Sequence, residues 1–170
     1  MKVTIIDGTP EELAEYEART GLIGRSHVAV DVSASTDDVI AEGVRSFILD
    51  RARTQFIGEQ VEAYVRRVLG LGGTEVEIGT SATSKDGQAN YLRIYDAGSR
   101  RFGAVAYVSA TNAGLTLRLT KDDVVGITGA GIKLREVKEN NGYQVNCALK
   151  TSESLDLAVK LTLRALEKVR

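Results

Sequence analysis

Between residues 74 and 120 the apolar positions recur every second residue, whereas in the segments before and well after this span they recur every three to four. A period of 2 belongs to a strand and a period near 3.6 to a helix. The stretches TEVEIGTS (74–81), ANYLRIYDA (89–97), FGAVAYVSAT (102–111) and GLTLRLT (114–120) therefore predict four consecutive strands, joined by turns rich in Gly, Asp, Ser and Asn. KDDVVGI (121–127) predicts a short helix, and IKLREVKE (132–139) with YQVNCALK (143–150) a further hairpin around Asn140, Asn141 and Gly142.

Helical spacing brackets this region. Residues 35–73 open on a cap, Ser35 or Thr36 followed by Asp37 and Asp38, and keep a stripe through Val44, Ile48, Phe56, Tyr64 and Val68. Gly58 is the expected dividing point between two helices, and Gly70, Gly72 and Gly73 the stop. Residues 152–170 form an amphipathic helix with Leu155, Ala158, Val159, Thr162, Leu163 and Leu166 on one stripe, and with Lys and Arg near its end to complement the dipole. Ahead of all this, KVTIID (2–7) reads as a strand and TPEELAEYEARTG (9–21) as a helix. Thr9 caps that helix, Pro10 fits its first position, Glu12 completes a capping box and Gly21 ends it. HVAVDVSAS (27–35) alternates as a half-buried strand would.

Strands followed by helices, without strict β-α alternation, imply an α+β fold. The expectation is an antiparallel sheet of five to six strands packed on helices through one face. An N-terminal β-α(-β) unit, residues 1–34, precedes the helical segment and core, 35–170, and the two parts are compatible with one compact domain. Alternation assigns the faces: Leu92, Ile94, Leu115, Leu117, Leu119, Ile132, Leu134, Val145, Cys147 and Leu149 point inward. The opposite parity holds Tyr91, Arg93, Tyr95, Thr116, Arg118, Lys133, Arg135, Gln144, Asn146 and Lys150, a set that is largely basic, amide and aromatic.

Composition narrows the classes of function. The 170 residues are 43% hydrophobic and 26% charged, as in an ordinary globular domain. No apolar run reaches the length of a membrane span, and MKVTIIDGTPEELAE lacks the apolar core of a signal peptide, so a cytoplasmic protein is expected. The single Cys147 cannot form an internal disulfide, which agrees with a reducing compartment. Net charge is −1 but uneven: residues 1–70 carry 8 Lys and Arg against 12 Asp and Glu, a net of −4, and residues 71–170 carry 14 against 11, a net of +3. A mildly basic second half permits a phosphate-contacting surface without demanding one.

Candidate chemistry is sparse. His27 is the only histidine and Cys147 the only cysteine, so a Cys/His zinc site, a His-dependent acyl-transfer triad and a heme site are poorly supplied, and no cofactor is expected. Cys147, on the inward parity, reads as a buried, inert thiol. LGLGGT (69–74) follows a helix and precedes a strand, the reverse of a phosphate loop, and reads as a helix stop. Glu136, Val137 and Lys138 have the acidic-x-Lys arrangement of PD-(D/E)xK nucleases, with Asp122 or Asp123 upstream as metal ligands.

From about Glu59 to the C-terminus the layout resembles a group of small bacterial domains. Its parts are the helix EQVEAYVRRVLGLGG, the strand series through YLRIY and FGAVAYVSATNAGLTLRL, the hairpin IKLREVKENNGYQVNCALKTSESLD and the closing ALKTSESLDLAVKLTLRAL. The group includes the DUF5655 type and is similar in layout to the MmcQ/YjbR-like "double-wing" proteins. The resemblance implies an α+β fold and, for the latter, an often suggested link to DNA binding; it supplies no functional residues.

Single-stranded nucleic acid is held by cations tracking phosphates and by aromatic rings stacked on bases. Tyr91, Arg93, Tyr95, Arg100, Arg101, Arg118, Lys133 and Arg135 supply both, with Arg100 and Arg101 expected at a hairpin tip, like a wing. The first expectation is thus a non-enzymatic module binding nucleic acid or a nucleotide-like anion. Its alternatives are a protein-interaction or assembly module of phage or bacterial defence origin, with a homodimer burying the sheet face, and a metal-dependent nuclease using Glu136 and Lys138. The plainest explanation of the same residues is a solvated sheet face, on which β-propensity and cross-strand pairing favour Tyr and Arg.

Overall fold

The computed structural model describes residues 40–127, 132–135, 137–138 and 141–170, all of which belong to the unit Thr36–Arg170. The N-terminal β-α unit, His27, the cap at Ser35 or Thr36, Glu136 and Asn140 lie outside the described residues. In chain order the elements are helices α1 (Glu42–Arg51) and α2 (Gln55–Leu69), strands β1 (Thr74–Thr80), β2 (Gln88–Asp96), β3 (Ala106–Ser109), β4 (Gly114–Leu117), β5 (Lys133–Leu134) and β6 (Val145–Ala148), and helix α3 (Ser152–Glu167). Short 3-10 turns at Ala97–Phe102 and Asp122–Val124 fill two connections, the second where the short helix was expected.

The six strands make one antiparallel sheet in the order β1-β2-β3-β4-β6-β5, so the fold is α+β. Period-2 alternation places one set of side chains on a common inner face. Leu92, Ile94, Ala106, Val108, Leu115, Leu117, Val145 and Cys147 are buried there. They share a single core with Val44, Phe47 and Ile48 of α1, Val61, Tyr64, Val65 and Val68 of α2, and Leu155, Ala158, Leu161, Ala165 and Leu166 of α3. Each fully buried Val, Leu or Ile contributes roughly 1.5–3 kcal/mol, so this shared burial fixes which face of the sheet the helices cover.

The helix boundaries have local causes, and one differs from expectation. The break falls at Ala52–Thr54, not at Gly58: Thr54 caps α2 by accepting a hydrogen bond from the Ile57 amide at 3.2 Å. Gly58 instead lies buried inside α2, where an added Cβ would meet Ala52 Cβ at 3.4 Å and Leu49 Cδ2 at 3.7 Å, ordinary van der Waals distances from the end of α1. α2 ends at Gly70, and Gly72 and Gly73 follow with φ of +72° and +65°. α3 opens on a reciprocal capping box between Thr151 and Ser154.

Three apolar residues placed in the interior by periodicity are exposed. Phe56 (51% exposed) sits in the first turn of α2, and Leu163 (37%) lies one step round the helix from the stripe of Ala158, Leu161, Thr162 and Ala165. Leu134 (57%) has inward parity, opposite Val145, but β5 is a two-residue edge strand at the far side of the sheet, with both residues exposed.

One buried polar contact joins the two helices over the sheet. The Thr162 hydroxyl donates to the Ala158 carbonyl at 2.8 Å, so Tyr64, whose hydroxyl is 2.5 Å from Thr162 Oγ1, must be the donor in that pair. Burial raises the Tyr64 pKa well above its ordinary value, which keeps the phenol protonated for this role. Thr162→Val leaves the Tyr64 hydroxyl buried and unpaired and is expected to cost about 1–3 kcal/mol. Tyr64→Phe leaves Thr162 satisfied by Ala158 and is expected to cost less. Urea denaturation of both single variants and the double checks this, and equal losses in the two single variants would contradict the assigned direction.

Candidate ligand-binding face

The outer face of the sheet carries the polar parity, and its register aligns these side chains into rows. Glu77, Arg93, Tyr107, Thr116, Asn146 and Lys133 are successive cross-strand partners from one edge of the sheet to the other. Strands lie about 4.8 Å apart, so the five intervals of this row span about 24 Å. A neighbouring row runs Tyr91, Ser109 on β2 and β3, and Gly114, Ala148 on β4 and β6.

Three tyrosines form the centre. The Tyr91 and Tyr107 rings meet edge-on at 5.5 Å and 76°, and Tyr107 meets Tyr143 at 5.4 Å and 60°. Tyr143 donates its hydroxyl proton to the Ala104 carbonyl at 2.6 Å. Its pKa is pushed up to about 12 by burial, then by Tyr107, so it remains a neutral donor. Gly79 makes room for the first ring: a Cβ there would stand 2.4 Å from Tyr91 Cε2 and 2.8 Å from the Tyr91 carbonyl oxygen. The β1–β2 register shifts at the same place, between Ile78 and Thr80.

The predicted cations separate into two kinds. Arg93 sits over the Tyr91 ring at 5.7 Å and donates to Thr80 Oγ1 at 3.1 Å, and hydrogen bonding to the tyrosine hydroxyls raises its pKa further. Arg118 donates to the Phe102 carbonyl, and Arg135 to the Tyr143 carbonyl at 3.2 Å. These partners are neutral, and among the described residues no carboxylate pairs with any of the three guanidiniums. Arg101, over the Phe102 ring at 4.8 Å, and exposed Lys133 also have no carboxylate partner among the described residues. Arg100 is different. It forms ion pairs with Glu75 and Glu77 on β1 and stacks on Tyr95 at 4.5 Å, so it folds back over the sheet edge instead of projecting as a wing.

Two concavities on this face share Ser109, Gly114 and Thr116. One, of about 420 Å³, is walled by Tyr91, Tyr107, Tyr143 and Arg135. The other, of about 600 Å³, continues past Asn146 to Lys133 and Lys150. The Oδ1 of Asn146 is buried with no hydrogen-bond partner among the described residues, an acceptor that a ligand donor would satisfy. Asn112 shapes the rim by accepting from the Gly114 amide at 3.0 Å, and Ala113 between them takes a left-handed φ of 53°.

The set expected from the sequence does not include Tyr107 or Tyr143. Tyr107 has outward parity on β3 and was legible by counting from Val108. Tyr143 shares the parity of buried Val145, but strand pairing begins only at Val145, so parity does not carry back to it.

The nuclease arrangement fares differently. Glu136 lies outside the described residues, and Lys138 is exposed. Burial favours a protonated Asp123, but Lys168 and the Thr120 amide and hydroxyl, at 2.6 and 2.7 Å, outweigh it and hold its pKa below the usual range. Among the described residues no three His, Cys, Asp or Glu stand together as a metal would require. Cys147 is buried, and burial pushes its thiol pKa up to about 12, leaving almost no thiolate at neutral pH. No helix among the described residues is long and apolar enough to cross a membrane. No protein-family profile, curated protein or solved structure matches the chain.

Gly79→Ala is expected to displace the Tyr91 ring and destabilise the fold by about 1–3 kcal/mol through overpacking. Gly43→Ala in α1, where a Cβ meets nothing within 4 Å, is expected to stabilise by up to about 1 kcal/mol. Paired denaturation curves check the contrast, and an unperturbed Gly79→Ala protein would contradict the close approach.

Proposed function

We propose that the outer sheet face binds single-stranded nucleic acid, with bases stacked on Tyr91, Tyr107 and Tyr143 and phosphates drawn to Arg93, Arg135 and the lysines beyond. The observation that carries this reading is the tyrosine chain itself: three linked rings lining a groove that leads to cations with no carboxylate partner among the described residues. Stacking tolerates any base, so the expected binding is weakly sequence-dependent. The resemblance to double-wing domains points to the same class of ligand. Against the set expected from the sequence, Arg100 is paired with Glu75 and Glu77, Tyr107 and Tyr143 join the groove, and Arg101 and Arg118 line a separate cavity.

Fluorescence anisotropy with a labelled oligothymidylate tests the proposal. Three or four phosphate contacts predict a log–log salt slope of about −2 to −3, since each contributes about −0.7 on a single strand. Tyr107→Ala is expected to weaken binding about 5- to 150-fold, the equivalent of about 1–3 kcal/mol for one stacked base. Arg100→Ala should change it little, because Glu75 and Glu77 already neutralise that charge. Binding that is absent, or indifferent to salt and to Tyr107, would reject the proposal. A concentration-dependent dimer that is disrupted by Tyr107→Ala, seen by light scattering, would assign the face to a second copy of the chain instead.

A further inference from the structure

Next to the tyrosine groove, where Arg118 of the outer parity meets the C-terminal end of α3, lies a third concavity of about 560 Å³, whose walls include Ser99, Arg101, Arg118, Gly142, Lys168 and Arg170. It adjoins the groove along the chain twice over. Arg118 follows Thr116 by two residues, about 7 Å along an extended segment, and Gly142 directly precedes Tyr143.

Its four cations are not equivalent. Lys168 pairs with Asp123, while Arg170 pairs with Asp96 at 2.8 Å and donates to the Gly72 carbonyl at 2.8 Å. The Arg170 hydrogen bond is the main reason the Asp96 carboxyl is held below its usual pKa, and both acids are therefore ionised at neutral pH. These two ion pairs cancel. Lys168 also stands at the C-cap of α3, where a cation offsets the partial negative charge of the last carbonyls. Arg101 and Arg118 have no carboxylate partner among the described residues: one stacks on the Phe102 ring and the other donates to the Phe102 carbonyl. Among the described residues, four cations less two carboxylates leave the cavity with two positive charges uncompensated.

We propose that this cavity is an anion site for a terminal phosphate, the monoester found at the end of a nucleic-acid strand or on a free nucleotide. A monoester carries about −1.5 to −2 at neutral pH and matches the two unpaired guanidiniums, whereas a backbone diester carries only one negative charge. Guanidinium forks also suit phosphate oxygens, which accept two parallel hydrogen bonds from each. The choice of a strand end as the source rests on the strand-binding reading above; the phosphate site itself rests on the cavity and its charges.

The test compares oligothymidylates bearing a 5′-phosphate, a 3′-phosphate or neither, alongside thymidine monophosphate and inorganic phosphate. One terminal phosphate is expected to tighten strand binding by about tenfold or more, equivalent to about 1.4 kcal/mol. The gain is expected to vanish in Arg101→Gln and to persist in Tyr107→Ala, which weakens phosphorylated and unphosphorylated strands alike. Equal affinity for all three strands, or a gain that survives Arg101→Gln, would overturn the proposal. If no strand binds at all, NMR titration separates the two ideas. Saturable shifts at the Ser99 and Gly142 amides with thymidine monophosphate or inorganic phosphate, lost in Arg101→Gln, keep the phosphate site and move its source to small molecules. Their absence rejects it.

Discussion

Helices α1, α2 and α3 bury their apolar stripes against the same face of the sheet, and the other features follow from that one-sided burial. Because successive residues on a strand point to opposite faces, filling one face with Leu92, Ile94, Val108, Leu115 and Leu117 assigns Tyr91, Arg93, Tyr107 and Thr116 to the other. A one-residue slip in any strand would exchange the two sets, so the hydrophobic core specifies the register of the outer face. The antiparallel pairing then converts separate alternating segments into rows, and a row from Glu77 to Lys133 is a property of the pairing, not of any one strand.

Rigid positioning separates this face from a casual distribution of Tyr and Arg. Tyr143 is anchored through its hydroxyl to Ala104, Tyr107 is held between two rings, and Tyr91 is seated against a glycine backbone. Arg93 and Arg135 are oriented by neutral acceptors, which restrict the guanidinium without cancelling its charge. A ligand meeting such groups loses less free energy to ordering side chains than one meeting mobile lysines. Exposed ion pairs contribute little to stability, but pairing decides which cations remain available to an anion. Counting charges along residues 71–170 gives +3 and cannot see this. The structure removes Arg100, Lys168 and Arg170 from the available set and retains Arg93, Arg101, Arg118, Lys133 and Arg135.

The sequence made the architecture legible wherever periodicity was uninterrupted. The strands at 74–80, 88–96, 106–109 and 114–117 and the closing helix lie within a few residues of their predicted positions, because alternation and helical stripes register burial directly. Errors concentrate where burial is decided by neighbours. Gly58 looked like a break because glycine disfavours helix interiors, yet it lies inside α2 on the side that faces the end of α1, and the cap at Thr54 decides the boundary. Leu134 has core parity but lies at the sheet edge, and Phe56 occupies a helix end. Of the eight expected site residues, Tyr91, Arg93, Lys133 and Arg135 line or flank the two concavities of the outer face, which alternation could show, and Arg101 and Arg118 line the third. That Arg100 is neutralised, that Tyr143 joins the aromatic chain and that Lys168 and Arg170 approach Arg101 all depend on contacts between residues 23 to 74 positions apart. No local pattern encodes them.

The two ends of the outer face differ in chemistry, and this difference bears on any extended ligand. Beyond Thr116 on one side lie flexible Lys133 and Lys150 and the unpartnered Asn146 carbonyl, which offer point charges and one acceptor. On the other side lie two guanidiniums whose planar donors are fixed by Phe102. The tyrosines between them discriminate little, because a ring face stacks on any flat partner. A symmetric chain of phosphates and bases would bind such a face in either direction with similar affinity. Directional binding therefore has to come from the unequal ends, where a group with more charge or a different donor pattern than the repeating unit meets the side that suits it.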